Sequence, residues 1–225
     1  MTRFPPRRGV PEFALFASLL RVATKYGFSD LREQLIEDLK GAYPTKWEDF
    51  ESAKVLGEDV FGSPKPHPNA VLNLFVAQDI RFAKPFASYR ASLGGIVALM
   101  GDEPGTVLPR NTLAFTIYGM GAAQRMMSHA AYTIVYVKNL GVCPNRACVL
   151  NVGISPPGRR TEALRKVCDV LFGERQGGVL SAPSLGDLTC AECTKELEAS
   201  HAKCRGACWD MLPAAFAVAK SWDEL

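Results

Sequence analysis

Cysteine is the residue type that carries chemistry in this chain, and several of its seven copies stand in short-spaced pairs. GVCPNRACV sets Cys143 and Cys148 with four residues between them in a loop, and LTCAEC sets Cys190 and Cys193 as a CxxC at a predicted helix start. Two such pairs suit a tetrahedral metal ion, because each pair chelates through a tight turn while the fold brings the pairs together. A thiolate at a helix N-terminus is also favoured by the free N–H groups and the dipole there. The spacer between the pairs is 41 residues, far longer than in a compact zinc ribbon. Spacing alone therefore leaves a shared metal and plain burial of the cysteines both open. A redox use of CAEC needs a strand running into the helix, and GGVLSAPSLGD offers no convincing one.

Helical geometry separates the remaining cysteines from that group. On one continuous helix Cys204 lies about 16 Å beyond Cys193 and His201 about 12 Å beyond it, at the usual rise per residue. Cys204 and Cys208, spaced i and i+4 alongside Leu197, fit a buried stripe. Cys168, among Val167, Val170 and Leu171, reads as core.

Other catalytic signatures are missing. No phosphate-binding glycine loop, HExxH or GxSxG occurs, and the GMG at 119–121 lies within a helical pattern, where close helix packing over small residues explains it. His67, His129 and His201 have no recognisable nucleophile partner, so no catalytic residue is assigned.

The elements that must position the cysteines are mostly helical. Phe13, Phe16, Leu19, Leu20, Ala23 and Tyr26 recur at helical spacing, Gly27 offers a left-handed stop, and Ser29 or Asp30 can cap a second helix bearing Leu31, Leu35, Ile36 and Leu39. Thr45 and Glu48 have capping-box spacing for a short helix with Trp47 and Phe50. After the turn-rich GSPKPHPN, Leu72, Phe75, Val76 and Ile80 mark another helix. Pro85 interrupts, and 86–100 reads as helix despite Gly94 and Gly95. Residues 110–131 present Leu113, Ile117, Met120, Met127 and Ala131 on one face. YTIVYV and CVLNV are candidates for a hairpin, a helix is expected from about Thr161 to Phe172, and the last helix from near Cys190 to about Trp209. Trp209, Leu212, Phe216 and Trp222 are expected to pack back on the helical body.

Bulk properties exclude several function classes. A formal net charge of +3, with basic residues scattered apart from Arg3, Arg7, Arg8 and Arg159–Arg160, argues against nucleic acid. No apolar run is long enough to cross a bilayer, so no membrane role is expected. MTRFPPRRGVPEF is not a signal peptide, and the terminal WDEL then has no reader. The expectation is a reducing compartment, cytoplasmic or nuclear, where an odd number of cysteines in a chain this large points away from a disulfide framework.

Several stretches together resemble a known family. LLRVATKYGFSDLREQLIEDL with YPTKWEDFE is similar to the segment that follows or closes the BTB/POZ core in fungal, chiefly basidiomycete, BTB-domain proteins, and HPNAVLNLFVAQDI to their next helix. Cys143 and Cys148, then Cys190 and Cys193, His201, WDMLPAAF and SWDEL follow in the order of that family's tail. The resemblance runs from about residue 15 onward. The residue patterns alone read as mainly α with at most one short β-hairpin, and the resemblance adds a helical BACK-like bundle at 11–137 with a small zinc-stapled C-terminal subdomain at 138–225. It favours Cys143, Cys148, Cys190 and Cys193 as ligands of one structural Zn2+. It also implies a non-catalytic adaptor that binds another protein, one candidate surface being the outer face of the 13–42 hairpin. The β-rich core expected ahead of LLRVATKY does not stand there, so the chain reads as a truncated relative or one with an incomplete start. Homodimerisation, and recruitment of a cullin-type ubiquitin ligase through that core, are therefore in question. A thiol-dependent enzyme using Cys190 and Cys193 is the competing expectation, and a nucleic-acid-binding zinc protein a weaker third.

Overall fold

Apolar residues three and four apart put α1 (Phe13–Tyr26) on the core through Phe16, Ala17, Leu20 and Ala23, all buried. Tyr26 falls off that stripe and is 62% exposed, since it lies beyond the turn that Ala23 closes. The helix stops at Gly27, whose φ of 69° is the left-handed conformation a Cβ disfavours. The N–H groups of Gly27 and Phe28 both reach the Ala23 carbonyl, and the chain reverses into α2 (Ser29–Lys40), which packs on α1 through Leu35 and Leu39. Neither Ser29 nor Asp30 caps α2. Ser29 is already its first residue, and the preceding Phe28 makes no side-chain capping bond.

This computed structural model describes residues 12–52, 61, 65–132, 143, 148, 180 and 189–225. Among them the architecture is mainly helical, with no strand. Two compact units divide the chain, one comprising Met1–Met120 with Leu212–Leu225, the other Gly121–Met211. The expected hairpin of YTIVYV and CVLNV, the helix at 161–172 and Cys168 lie outside the described residues.

In the first unit α3 (Trp47–Ser52) and α4 (Pro68–Ala77) follow the first hairpin. Pro68 opens α4, where its missing N–H costs nothing, and the His67 ring accepts the Asn69 N–H at 3.2 Å as a side-chain N-cap. A tight 3-10 turn, Arg81–Ala83, leads into α5 (Lys84–Ser92). Pro85 thus starts this helix, because its fixed φ suits the first turn. An aromatic cluster joins these elements: Tyr43 meets Phe75 edge-on at 4.9 Å and Phe86 at 5.8 Å, and Phe86 meets Phe50 at 5.4 Å. Such pairs prefer tilted contacts because ring edges are positive and faces negative.

The expected single helix over 86–100 is instead two. Gly95 adopts φ 74°, which ends α5 and begins α6 (Gly95–Met100) in a new direction. Two asparagines one turn apart on α4 hold α6 and the loop after it. Buried Asn69 donates its side-chain amide to the carbonyls of Ala98, Leu99 and Thr106 at 2.9–3.2 Å, and Asn73 donates to those of Gly105 and Val107. The Asn69 amide thereby satisfies the Leu99 and Thr106 carbonyls at a buried site, while the Asn73 bonds are exposed.

α7 (Arg110–Tyr132) matches the expected span, but its buried line is rotated. Among the described side chains Thr116, Gly119 and Ala123 are buried, whereas Leu113, Ile117 and Met120 are half-buried; those of Met127 and Ala131 lie outside the described set. The reason at Gly119 is the Phe216 ring, which occupies the space a Cβ would need. The last helix, α8 (Ala191–Ala215), outruns the expected end at Trp209 by six residues and carries Pro213 in its final turn. Trp209, Leu212 and Phe216 are buried, as expected, while Trp222 is half-buried.

Candidate metal centre

Cys190 immediately precedes α8. Its carbonyl accepts the Thr194 N–H at 2.8 Å, the first bond of the helix, so Cys190 is the N-cap residue. Its sulfur takes the place usually filled by a serine or aspartate oxygen and accepts the backbone N–H of Cys193, three residues on. The flanking hydroxyls of Thr189 and Thr194 lie 2.7 Å apart and close this turn from the side. A CxxC at a helix start therefore folds its two thiols to one side of the first turn by ordinary capping geometry.

Cys143 and Cys148 come to the same place from far along the chain. The sulfurs of Cys143, Cys148, Cys190 and Cys193 all lie within 4.8 Å of one another, and none is in a disulfide. Cys143 and Cys148 are buried and Cys190 and Cys193 half-buried. The Cys143 and Cys190 sulfurs are 3.7 Å apart. That is well beyond the roughly 2.05 Å of a disulfide. It matches the edge of about 3.8 Å expected when four sulfurs surround one ion tetrahedrally at about 2.3 Å.

Protonation follows from the same geometry. The Cys193 backbone N–H, assisted by the thiols of Cys193, Cys143 and Cys148 and opposed by partial desolvation, brings Cys190 down to about 7. Burial, followed by hydrogen bonding to Cys143, Cys190 and Cys148, pushes Cys193 far up. Without a cation, one negative sulfur in the group discourages the next. A divalent ion at the centre removes that conflict and favours thiolate at all four positions. The donor set and spacing thus fit a metal ion.

The other candidates stand apart. Cys204 and Cys208 lie one turn from each other farther along α8, outside the group. Cys208 is buried, and burial together with the charge of Cys204 raises it to about 11. His201 is 1% exposed and no part of the cysteine group. His67 caps α4, and His129 is exposed. Sequence reasoning missed Arg205, which is buried one turn after His201 and donates to the Leu180 carbonyl at 3.3 Å. Its position one helical turn from His201 and from Cys208 was the signal available, since a charge on a buried stripe needs a partner. Asn69 gave no comparable signal, because an asparagine after His-Pro reads as a turn residue.

No helix among the described residues is long and apolar enough to cross a membrane. No protein-family model matches the chain, and no curated protein or solved structure matches it.

Proposed function

We propose that Cys143, Cys148, Cys190 and Cys193 hold one structural zinc ion, and that the chain is a non-catalytic helical module that binds another protein. The observation that carries this reading is the meeting of four sulfurs within 4.8 Å. Thiolate donors select zinc over harder cations, and four of them leave no open position for substrate or water. The ion would tie Cys143 and Cys148 to the start of α8 and remove much of the entropy of a long loop.

The interaction role draws on the resemblance to fungal BTB-domain proteins, with its BACK-like part at 11–137 and Cys-rich part at 138–225. It is supported by apolar side chains left in solvent on and just beyond α1, where Leu15, Val22, Tyr26 and Phe28 are all more than two-fifths exposed. Exposed apolar residues gathered on one element are common at protein-binding surfaces. No nucleic-acid or membrane partner is proposed, and the setting proposed is intracellular.

One observation favours a second reading, a thiol-dependent enzyme. Cys190, at about 7, is more readily ionised than an ordinary cysteine. Elemental analysis of natively purified chain separates the two. One zinc per chain, with slow alkylation of Cys190 and no turnover in hydrolase, transferase and disulfide-reductase screens, is expected. Metal-free folded protein whose Cys190 alkylates rapidly, with activity lost in Cys190→Ser and kept in Cys143→Ser, supports the enzyme instead.

A further inference from the structure

The four sulfurs are not equivalent. Cys143 and Cys148 are buried, whereas Cys190 and Cys193 stand half-buried at the rim. The rim pair also belongs to one element, three residues apart at the start of α8. At helical spacing their α-carbons are about 5 Å apart, inside the range a disulfide spans. Their sulfurs lie within 4.8 Å of each other. Cys190 and Cys143, 3.7 Å apart at sulfur, instead belong to segments distant in the chain, and Cys143 is buried.

From this arrangement we infer that Cys190 and Cys193 are an oxidative modification site, converted by small peroxides to a disulfide that opens the metal centre. This rests on the zinc reading above. A rim thiolate attacks one peroxide oxygen, the O–O bond breaks, a sulfenic acid forms and hydroxide leaves. The second rim thiolate then attacks that sulfur. The S–S bond forms, the S–O bond breaks and a second hydroxide leaves. Two sulfurs each lose one electron, and one peroxide gains two. The buried pair is left as two donors where a closed zinc site needs four, so the ion is released. The segment bearing Cys143 and Cys148 is then no longer tied to α8. A thiol reductant with zinc reverses the change, since the buried pair is never oxidised.

The test uses full-length chain loaded with zinc and titrated with hydrogen peroxide, with Cys204→Ser as a parallel protein to remove the other helical pair from competition. Zinc release is followed with a chromogenic chelator, and disulfides are mapped by peptide mass analysis under acid quench. One zinc released per two thiols lost, a Cys190–Cys193 disulfide, alkylatable Cys143 and Cys148, and full recovery with dithiothreitol and zinc are expected in both proteins. Zinc retained through a roughly tenfold peroxide excess overturns the oxidation site and leaves the zinc reading intact, as does release with a disulfide at Cys143 or Cys148. A chain that takes up no zinc before oxidation overturns the zinc reading itself.

Discussion

The Phe216 ring lies directly on the bare α-carbon of Gly119, so that any Cβ at that position would run into the ring. Gly119→Ala is therefore expected to cost about 1–3 kcal/mol from overpacking, offset by up to about 1 kcal/mol of improved helix propensity. Phe216→Ala should cost about 3–5 kcal/mol as a large core deletion. In the double variant the clash no longer exists, so its cost should fall below the sum of the two. Urea unfolding of the four proteins checks this, and additive costs would mean the two residues do not touch.

Serine at Cys143, Cys148, Cys190 or Cys193 should each lower zinc content and reduce stability by several kcal/mol, on the scale of losing a structural metal. Serine at Cys204 or Cys208 should leave the metal in place, because neither belongs to the group. Protons compete with zinc for thiolates, so acidification should release the ion cooperatively and raising the pH with added zinc should restore it. Elemental analysis across the six variants reads the assignment directly, and equal zinc loss from Cys204→Ser would refute it.

Cys208 provides a separate alkaline limb. Its folded-state pKa is raised to about 11, chiefly by burial. Below the unfolded value near 9 the thiol is neutral in both states, and its contribution is fully present. Between about 9 and 11 the unfolded chain ionises first, so stability falls as pH rises and levels off above the folded value. Cys208→Val should flatten that part of the stability curve, measured by denaturant titration at fixed temperature from pH 8 to pH 11. An unchanged slope would place the alkaline loss elsewhere.

Asn69 should be the most sensitive polar position of the first unit, since its amide serves the carbonyls of Ala98, Leu99 and Thr106 from a buried site. Asn69→Ala is expected to cost about 3 kcal/mol, the upper end for leaving buried acceptors unmade. Asn69→Asp should cost more near neutral pH, because a carboxylate oxygen then replaces the donor and faces those carbonyls. Faster amide exchange at Thr106, whose N–H bonds the Glu103 carbonyl, would localise the damage to the loop. Wild-type exchange there in Asn69→Ala would mean the clasp does not hold the loop.

Much of this protein was legible in its residue order because the relevant physics is local. The spacing of Phe16, Leu20 and Ala23 is enough to orient α1, and Gly27 is enough to end it, since left-handed backbone strongly favours glycine. Cys190 and Cys193 could likewise be placed together from sequence, because a helix start brings i and i+3 to one side. Their exclusion of Cys204 followed from helical rise alone.

Tertiary structure decided the rest, wherever a residue's neighbour is distant in the chain. The GMG run suggested close packing, yet nothing local indicates that Phe216 is what fills the space over Gly119. Leu113, Ile117 and Met120 share one face of α7, yet among the described side chains the small Thr116, Gly119 and Ala123 are the buried ones. Spacing left the two cysteine pairs undecided between a common ion and separate burial, because 41 intervening residues place no limit on where the second pair arrives. Only the fold brings the Cys143 sulfur to 3.7 Å from that of Cys190. Loop closure over such a length is a question of chain entropy and packing, which neither pair encodes by itself.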